Sequence, residues 1–176
     1  MKKYALISVS DKTNIVEFAK ELNSLGYQII ATGNTSKLLF ENKIDCVEIK
    51  DFTSSPEIFS GRVKTLNPKI FAGILTRRDN PSDQNEASQN QIHPIDIICV
   101  NLYPFPKVVN REDIDLQEKI ENIDIGGPSL IRASAKNYKY VSVLTDPNQY
   151  NDFLSELKSG SVSLETRQKL AAAAFA

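Results

Sequence analysis

Short apolar runs alternate along the first third of the chain with segments whose apolar residues recur every three or four positions. Residues 4–9 (YALISV) form a run without charge, which reads as a buried strand. Ile15, Phe18, Ala19, Leu22 and Leu25 then recur at helical spacing. Ser10 or Asp11 is placed to cap that helix and Gly26 to end it. Residues 27–31 make the next strand, Leu38 and Leu39 mark a second helix, and residues 46–49 a third strand. This order predicts an α/β fold, a parallel sheet flanked by helices. Right-handed crossovers put the turns after Val9 and Ala31 at the same sheet edge. Open α/β sheets bind ligands at that edge, beyond the carboxyl ends of the strands.

The alternation stops at residues 51–75, a polar stretch with a Ser-Ser-Pro turn and then GRVKTLNPKIFAGIL. Residues 80–91, rich in Asn, Gln, Ser and Asp, read as a surface excursion with room for one exposed helix. A strong strand follows at residues 95–102 and ends at Tyr103-Pro104-Phe105-Pro106. Ile114, Leu116 and Ile120 suggest a short helix before IDIGGP. Leu130, Ile131 and Ala135 then share a helical face that runs to Lys136. Residues 140–144 give a last strand, Asp146-Pro147 opens a helix to about Lys158, Gly160 breaks it, and residues 164–175 form another. There is no internal repeat, and residues 1–176 read as one domain.

Composition narrows the function. Lys and Arg number 21 against 22 Asp and Glu, a net charge of -1, so nothing draws the chain in bulk to nucleic acid or to a membrane surface. Any anion site must be a local cluster of basic groups. Cys46 and Cys99 stand alone in apolar runs without metal-ligand spacing, which suits buried thiols in a reducing compartment. No apolar run is long enough to span a membrane, and Asp11 and Lys12 cut the N-terminal run short of a signal peptide. The expected location is cytoplasmic. One histidine, His93, rules against His-based triads and metal sites and reads as a surface or strand-entry residue.

Three polar turns carry candidate chemistry. Ser10-Asp11-Lys12 and Thr32-Gly33-Asn34-Thr35 each follow a strand and open a helix, offering hydroxyls and backbone N–H groups to a phosphate. In Arg62-Val63-Lys64-Thr65, alternation puts both cations on one side of an extended piece. In IDIGGPSLIRASAKN, Asp124 and Lys136 bracket a glycine-rich helix start, where the backbone can approach a ligand closely. Alone, such a turn is an ordinary loop-to-helix junction; the company of the other turns raises it. Asn101 and Tyr103, at a strand's carboxyl end, are candidates for contacting a base.

The set ISVSDKT, ATGNTSKLL, GRVKTLNPKI, VNLYPF, IDIGGPSLIRASAKN and LETRQKLAAAAF resembles the inosine monophosphate cyclohydrolase domain, the N-terminal part of the bifunctional purine biosynthesis proteins. The resemblance spans nearly the whole chain, in order. It implies a methylglyoxal synthase-like fold and closure of the purine ring of 5-formamidoimidazole-4-carboxamide ribonucleotide to inosine monophosphate and water. It implies no metal or organic cofactor for that step, with folate belonging to a covalently linked formyltransferase domain. It also implies a homodimer. Carried over by position, Lys64, Tyr103, Asp124 and Lys136 match the catalytic set. Lys64 would stabilise the formyl oxygen, Lys136 with Tyr103 would move the carboxamide proton, and Asp124 would orient the carboxamide. Ser10, Asp11, Lys12, Thr32, Gly33, Asn34, Thr35, Arg62 and Thr65 match positions holding the phosphate and ribose. Asn101, Ile125 and Gly126 match positions near the base.

The chain departs from the family at Asn34, where Gly is usual, and at Asn67, Phe71 and Tyr138, where His is frequent. Asn tolerates a left-handed backbone better than most residues, which is compatible with the turn at Asn34. Two rivals share the fold: a regulatory nucleotide-binding module, which would not need the four catalytic positions together, and a methylglyoxal synthase-like lyase, which needs a histidine near the phosphate.

Overall fold

The computed structural model describes residues 2–103 and 105–175. Five strands form one all-parallel sheet: β1 (Lys3–Val9), β2 (Tyr27–Ala31), β3 (Cys46–Glu48), β4 (Ile97–Asn101) and β5 (Ser142–Leu144). Their spatial order is β3-β2-β1-β4-β5. The chain builds outward from β1 in one direction, then returns to lay β4 on the other side of it. The junction of β1 and β4, with Ala5 opposite Ile97 and Val9 opposite Asn101, is therefore the topological switch point.

The period-two alternation of β1 divides the core into two layers. Ala5, Ile7 and Val9 face one side, where α1 (Ile15–Ser24) contributes Ile15, Phe18, Ala19 and Leu22. α2 (Gly33–Glu41) adds Leu39, and α9 (Tyr150–Lys158) adds Tyr150 and Phe153. Phe18 stacks on Tyr150 with centroids 4.3 Å apart. Tyr4 and Leu6 face the other side with Ile49, Ile70, Ile74, Leu130 and Ile131. Those residues come from α3 (Ile49–Thr53), α4 (Pro68–Leu75) and α8 (Gly126–Lys136). Each fully buried Ile, Leu or Phe stabilises this arrangement by about 1.5–3 kcal/mol. The exposed α5 (Pro81–Gln89), α6 (Phe105–Val109) and α7 (Leu116–Glu121) belong to neither layer, and α10 (Leu164–Ala173) is the last helix of the described residues.

The predicted parallel sheet is present, with differences at element ends. Ile49 opens α3 instead of closing the third strand, because its side chain packs under the sheet. The strands expected at residues 95–102 and 140–144 are shorter, covering Ile97–Asn101 and Ser142–Leu144. The stretch that broke the pattern holds α4, whose Asn67 side chain caps it by accepting from the Lys69 amide. Ser10 and Asp11 do not cap α1: Asn14, left-handed at φ 56°, precedes it without a side-chain cap. Asp11 instead accepts from the Thr13 hydroxyl at 2.6 Å and its amide at 2.9 Å, which holds its carboxyl below the ordinary range. Asn34 needs no left-handed backbone, since Gly33 takes it at φ 45°. Pro104, read as part of a strand end, lies outside the described residues.

Cys46 and Cys99 are both buried in strands, as expected. Burial pushes the Cys99 thiol up to about 12, so it stays protonated and inert. His93 is exposed and its ring lies near Tyr4 and Phe52, at 5.5 and 6.0 Å. No helix among the described residues is long and apolar enough to cross a membrane.

Asn137, buried at the end of α8, donates through Nδ2 to Ile74 O at 2.7 Å and Thr76 O at 3.1 Å. It ties α8 to the end of α4. Asn137→Ala should leave buried carbonyls unpaired and cost about 1–3 kcal/mol. Urea unfolding should show this as a lowered midpoint at unchanged slope.

Candidate active site

The carboxyl edge of β1, β2 and β4 opens into a cleft of about 840 Å³. Three loops wall it: residues 59–66, Asn101 with Tyr103, and residues 120–127. Every residue matched to a catalytic, phosphate, ribose or base position lines this cleft except Asp11 and Lys136.

One end is suited to an anion. The first turn of α2 leaves the N–H groups of Gly33 and Asn34 without helical acceptors, and the helix dipole adds partial positive charge. Lys64 lies over this turn, its Nζ 3.7 Å from where a Cβ on Gly33 would stand. Lys12 donates from Nζ to Val9 O and to Thr35 Oγ1, the latter at 3.4 Å. Burial lowers the Lys12 pKa, with the charge of Asp11 opposing. The hydroxyls predicted for phosphate binding are turned inward. Thr32 Oγ1 pairs with Ser8 Oγ at 2.8 Å, and Thr35 Oγ1 contacts Val9 N and O, both at 3.3 Å. The Ser10 and Asp11 amides are likewise engaged, both donating to Asn101 Oδ1. Backbone N–H groups and two ammonium groups therefore line the end suited to an anion, with the Thr32 and Thr35 hydroxyls bonded to Ser8 and Val9 beside them.

The other end gathers Tyr103 and Asp124. Tyr103 is 54% exposed and lines the cleft after β4. Asp124 accepts the Gly127 amide on Oδ1 at 2.8 Å, so α8 begins on this carboxylate. The glycines are required by close approach. A Cβ on Gly126 would stand 2.4 Å from Thr65 Oγ1; one on Gly127 would stand 2.5 Å from Asp124 Oδ2 and 2.6 Å from Leu102 Cδ2. Thr65 is buried there and brings the Arg62–Lys64 segment against the start of α8. Val63 bridges to Ile58, leaving Arg62 and Lys64 on either side of it to line the cleft. Ile125 is exposed at the mouth.

Two of the candidate positions lie outside this lining. Asp11 is directed away and serves its own turn. Lys136 is exposed at the far end of α8, whose eleven residues carry it about 15 Å from the cleft. Within one chain it does not meet Lys64, Tyr103 and Asp124. Among the lining residues that went unread in the sequence, two engage groups of the site. Glu121 pairs with Arg62 at 3.4 Å across the mouth, and no local pattern marks it. Ser8 holds Thr32, and its polarity within an apolar strand was the available signal. Among the described residues no group of three or more His, Cys, Asp and Glu side chains is placed to hold a metal ion.

Comparison with known proteins agrees with this architecture. Residues 14–129 match the MGS-like domain family and residues 134–176 match the AICARFT/IMPCHase bienzyme family. The bifunctional purine biosynthesis protein PurH of Persephonella marina is 56% identical over 176 residues, covering 99% of this chain and 34% of that protein. PurH of Bacillus subtilis is 49% identical over 174 residues, 98% of this chain and 34% of that protein. The chain spans about a third of the length of these curated relatives. The crystal structure of ForH superposes with a TM-score of 0.88 at 37% identity, covering 99% of this chain and 92% of that one. The chain belongs to the MGS-like domain family, in the form that makes up the N-terminal part of the PurH bienzymes.

Proposed function

We propose that the chain closes the second ring of 5-formamidoimidazole-4-carboxamide ribonucleotide to give inosine monophosphate and water. The observation that carries this reading is the meeting of Lys64, Tyr103 and Asp124 in one cleft with an anion-binding helix start. In the reaction the carboxamide nitrogen attacks the formyl carbon and a C–N bond forms. The formyl oxygen receives the proton that nitrogen gives up, and a second proton from the former formamido nitrogen. It leaves as water as its C–O bond breaks. Both reacting groups belong to one molecule, so the site must hold a near-attack conformer and stabilise the developing oxyanion. In this reading the phosphate docks on the α2 start beside Lys12, and Arg62 is released from Glu121 to meet the nucleotide. Lys64 reaches from the phosphate end toward the developing negative charge. Tyr103 and Asp124 face the carboxamide and carry its proton.

The reading takes residues 1–176 as one domain acting in the cytoplasm without folate. The formyltransferase chemistry belongs to the rest of the PurH bienzymes. It also takes the active species as a homodimer, with one copy's Lys136 completing the other's cleft. A regulatory module has no need of the Tyr103–Asp124 end. A lyase of the methylglyoxal synthase type lacks its histidine, since His93 lies outside the cleft.

The test is ring closure by the purified chain, followed as inosine monophosphate formed from the formylated ribonucleotide without folate. Lys64→Ala and Asp124→Asn should each lower kcat on the order of 100-fold or more. Nucleotide binding with no turnover in the unsubstituted chain would instead favour the regulatory module. Lys136→Ala should also be inactive, yet coexpression with Lys64→Ala should restore activity, because one site of the mixed dimer is intact. If mixing restores nothing while each variant still dimerises, Lys136 does not act across the dimer. Gly126→Ala should drive Thr65 away, costing about 1–3 kcal/mol in denaturant unfolding and raising KM as the Arg62–Lys64 segment retreats.

A further inference from the structure

We infer that Asn101 is a positioning residue for the Ser10–Lys12 turn and not a reader of the base; this deepens the ring-closure reading and rests on it. Asn101 ends β4 directly opposite Val9, the last residue of β1. At this switch point the two chains diverge, so the backbone leaving β1 has no strand beside it. The Asn101 side chain takes that place. Its Oδ1 accepts from Ser10 N at 2.6 Å and Asp11 N at 2.8 Å, and its Nδ2 donates to Asp11 O at 3.0 Å. A carboxamide carries the same donor and acceptor as a peptide unit, so the side chain extends the β1–β4 ladder past the strands. Only one orientation of the amide satisfies all three partners.

This use conflicts with base recognition. Both lone pairs of Oδ1 are taken and Nδ2 keeps a single free hydrogen, so no donor–acceptor edge is left for a purine. What the strap controls lies at the other end of the ligand. It fixes the turn from which Lys12 reaches Val9 O and Thr35 Oγ1, beside the first turn of α2. Loss of the strap frees this ammonium and the Ser10 side chain, and the effect falls on the phosphate and ribose.

The experiment is calorimetric titration of the chain with two ligands, inosine monophosphate and ribose 5-phosphate, which has no base. Asn101→Asp is isosteric. It keeps an oxygen for the two amides but sets a second oxygen against Asp11 O. The expected result is a loss of about tenfold or more in affinity, equal for the two ligands, with KM rising more than kcat falls. Weakened inosine monophosphate binding with ribose 5-phosphate unchanged would overturn the proposal and return Asn101 to the base. Should Asn101→Asp fail to fold by circular dichroism, Asn101→Ala is read in the same way. In a Lys12→Ala background, Asn101→Ala should cost ribose 5-phosphate little more, whereas full additivity would also overturn the proposal. An unsubstituted chain that binds neither ligand would overturn the ring-closure reading itself, and the proposal with it.

Discussion

The structure depends on the placement of β4 beside β1. A parallel sheet that grew in one direction only would send every following loop over the same face. Returning to the other side of β1 sends the loops after β1 and β4 apart and opens the crevice between them. The cost is a stretch of β1-side backbone with polar groups and no strand to pair with. The Asn101 carboxamide satisfies those groups, and the braced threonines of α2 do the same on the other flank. The Ser10–Lys12 turn is thus held within the protein, while the Gly33 and Asn34 N–H groups at the start of α2 keep no helical acceptor.

Electrostatics works locally in a chain with almost no net charge. Lys12, Arg62 and Lys64 meet at one cleft while the acids matching them in number lie mostly elsewhere. Two acids stay at the cleft. Glu121 pairs with Arg62 at the mouth, and Asp124 sits at the start of α8, where a carboxylate is favoured by the dipole and by the Gly127 amide. The cleft thus has a cationic end and an end with a phenol and a carboxylate, a polarity that suits the nucleotide proposed as substrate.

Close packing joins these ends. Gly126 and Gly127 let Thr65, Leu102 and Asp124 approach the α8 backbone more closely than any side chain would allow. Without that approach the Arg62–Lys64 loop and the Asp124 loop could not share a wall. The glycines matter for the space they leave, since neither adopts a left-handed backbone.

The strands, the helices after β1 and β2, and the edge where ligands bind were legible in the sequence. Each follows from the spacing of apolar residues over a few turns, and β1 shows it directly by sending Ala5 and Leu6 into opposite layers. The cationic and acidic motifs were legible as types of chemistry for the same local reason. Hydrogen-bond partners far apart in sequence were not. Thr32 and Thr35 read as ligand hydroxyls, and only the tertiary structure shows their contacts with Ser8 and Val9. Asn101 reads locally as a candidate for contacting a base, and its hydrogen bonds to a turn ninety positions away leave no trace in that local pattern. Lys136 stands in the same motif as Asp124, but a straight helix carries it about 15 Å off. The sequence by itself determined the sheet, its layers and the inventory of reactive groups, because these depend on local periodicity and residue type. Only the tertiary structure decided which groups face the cleft and which brace it, because that depends on contacts between distant segments that leave no local pattern.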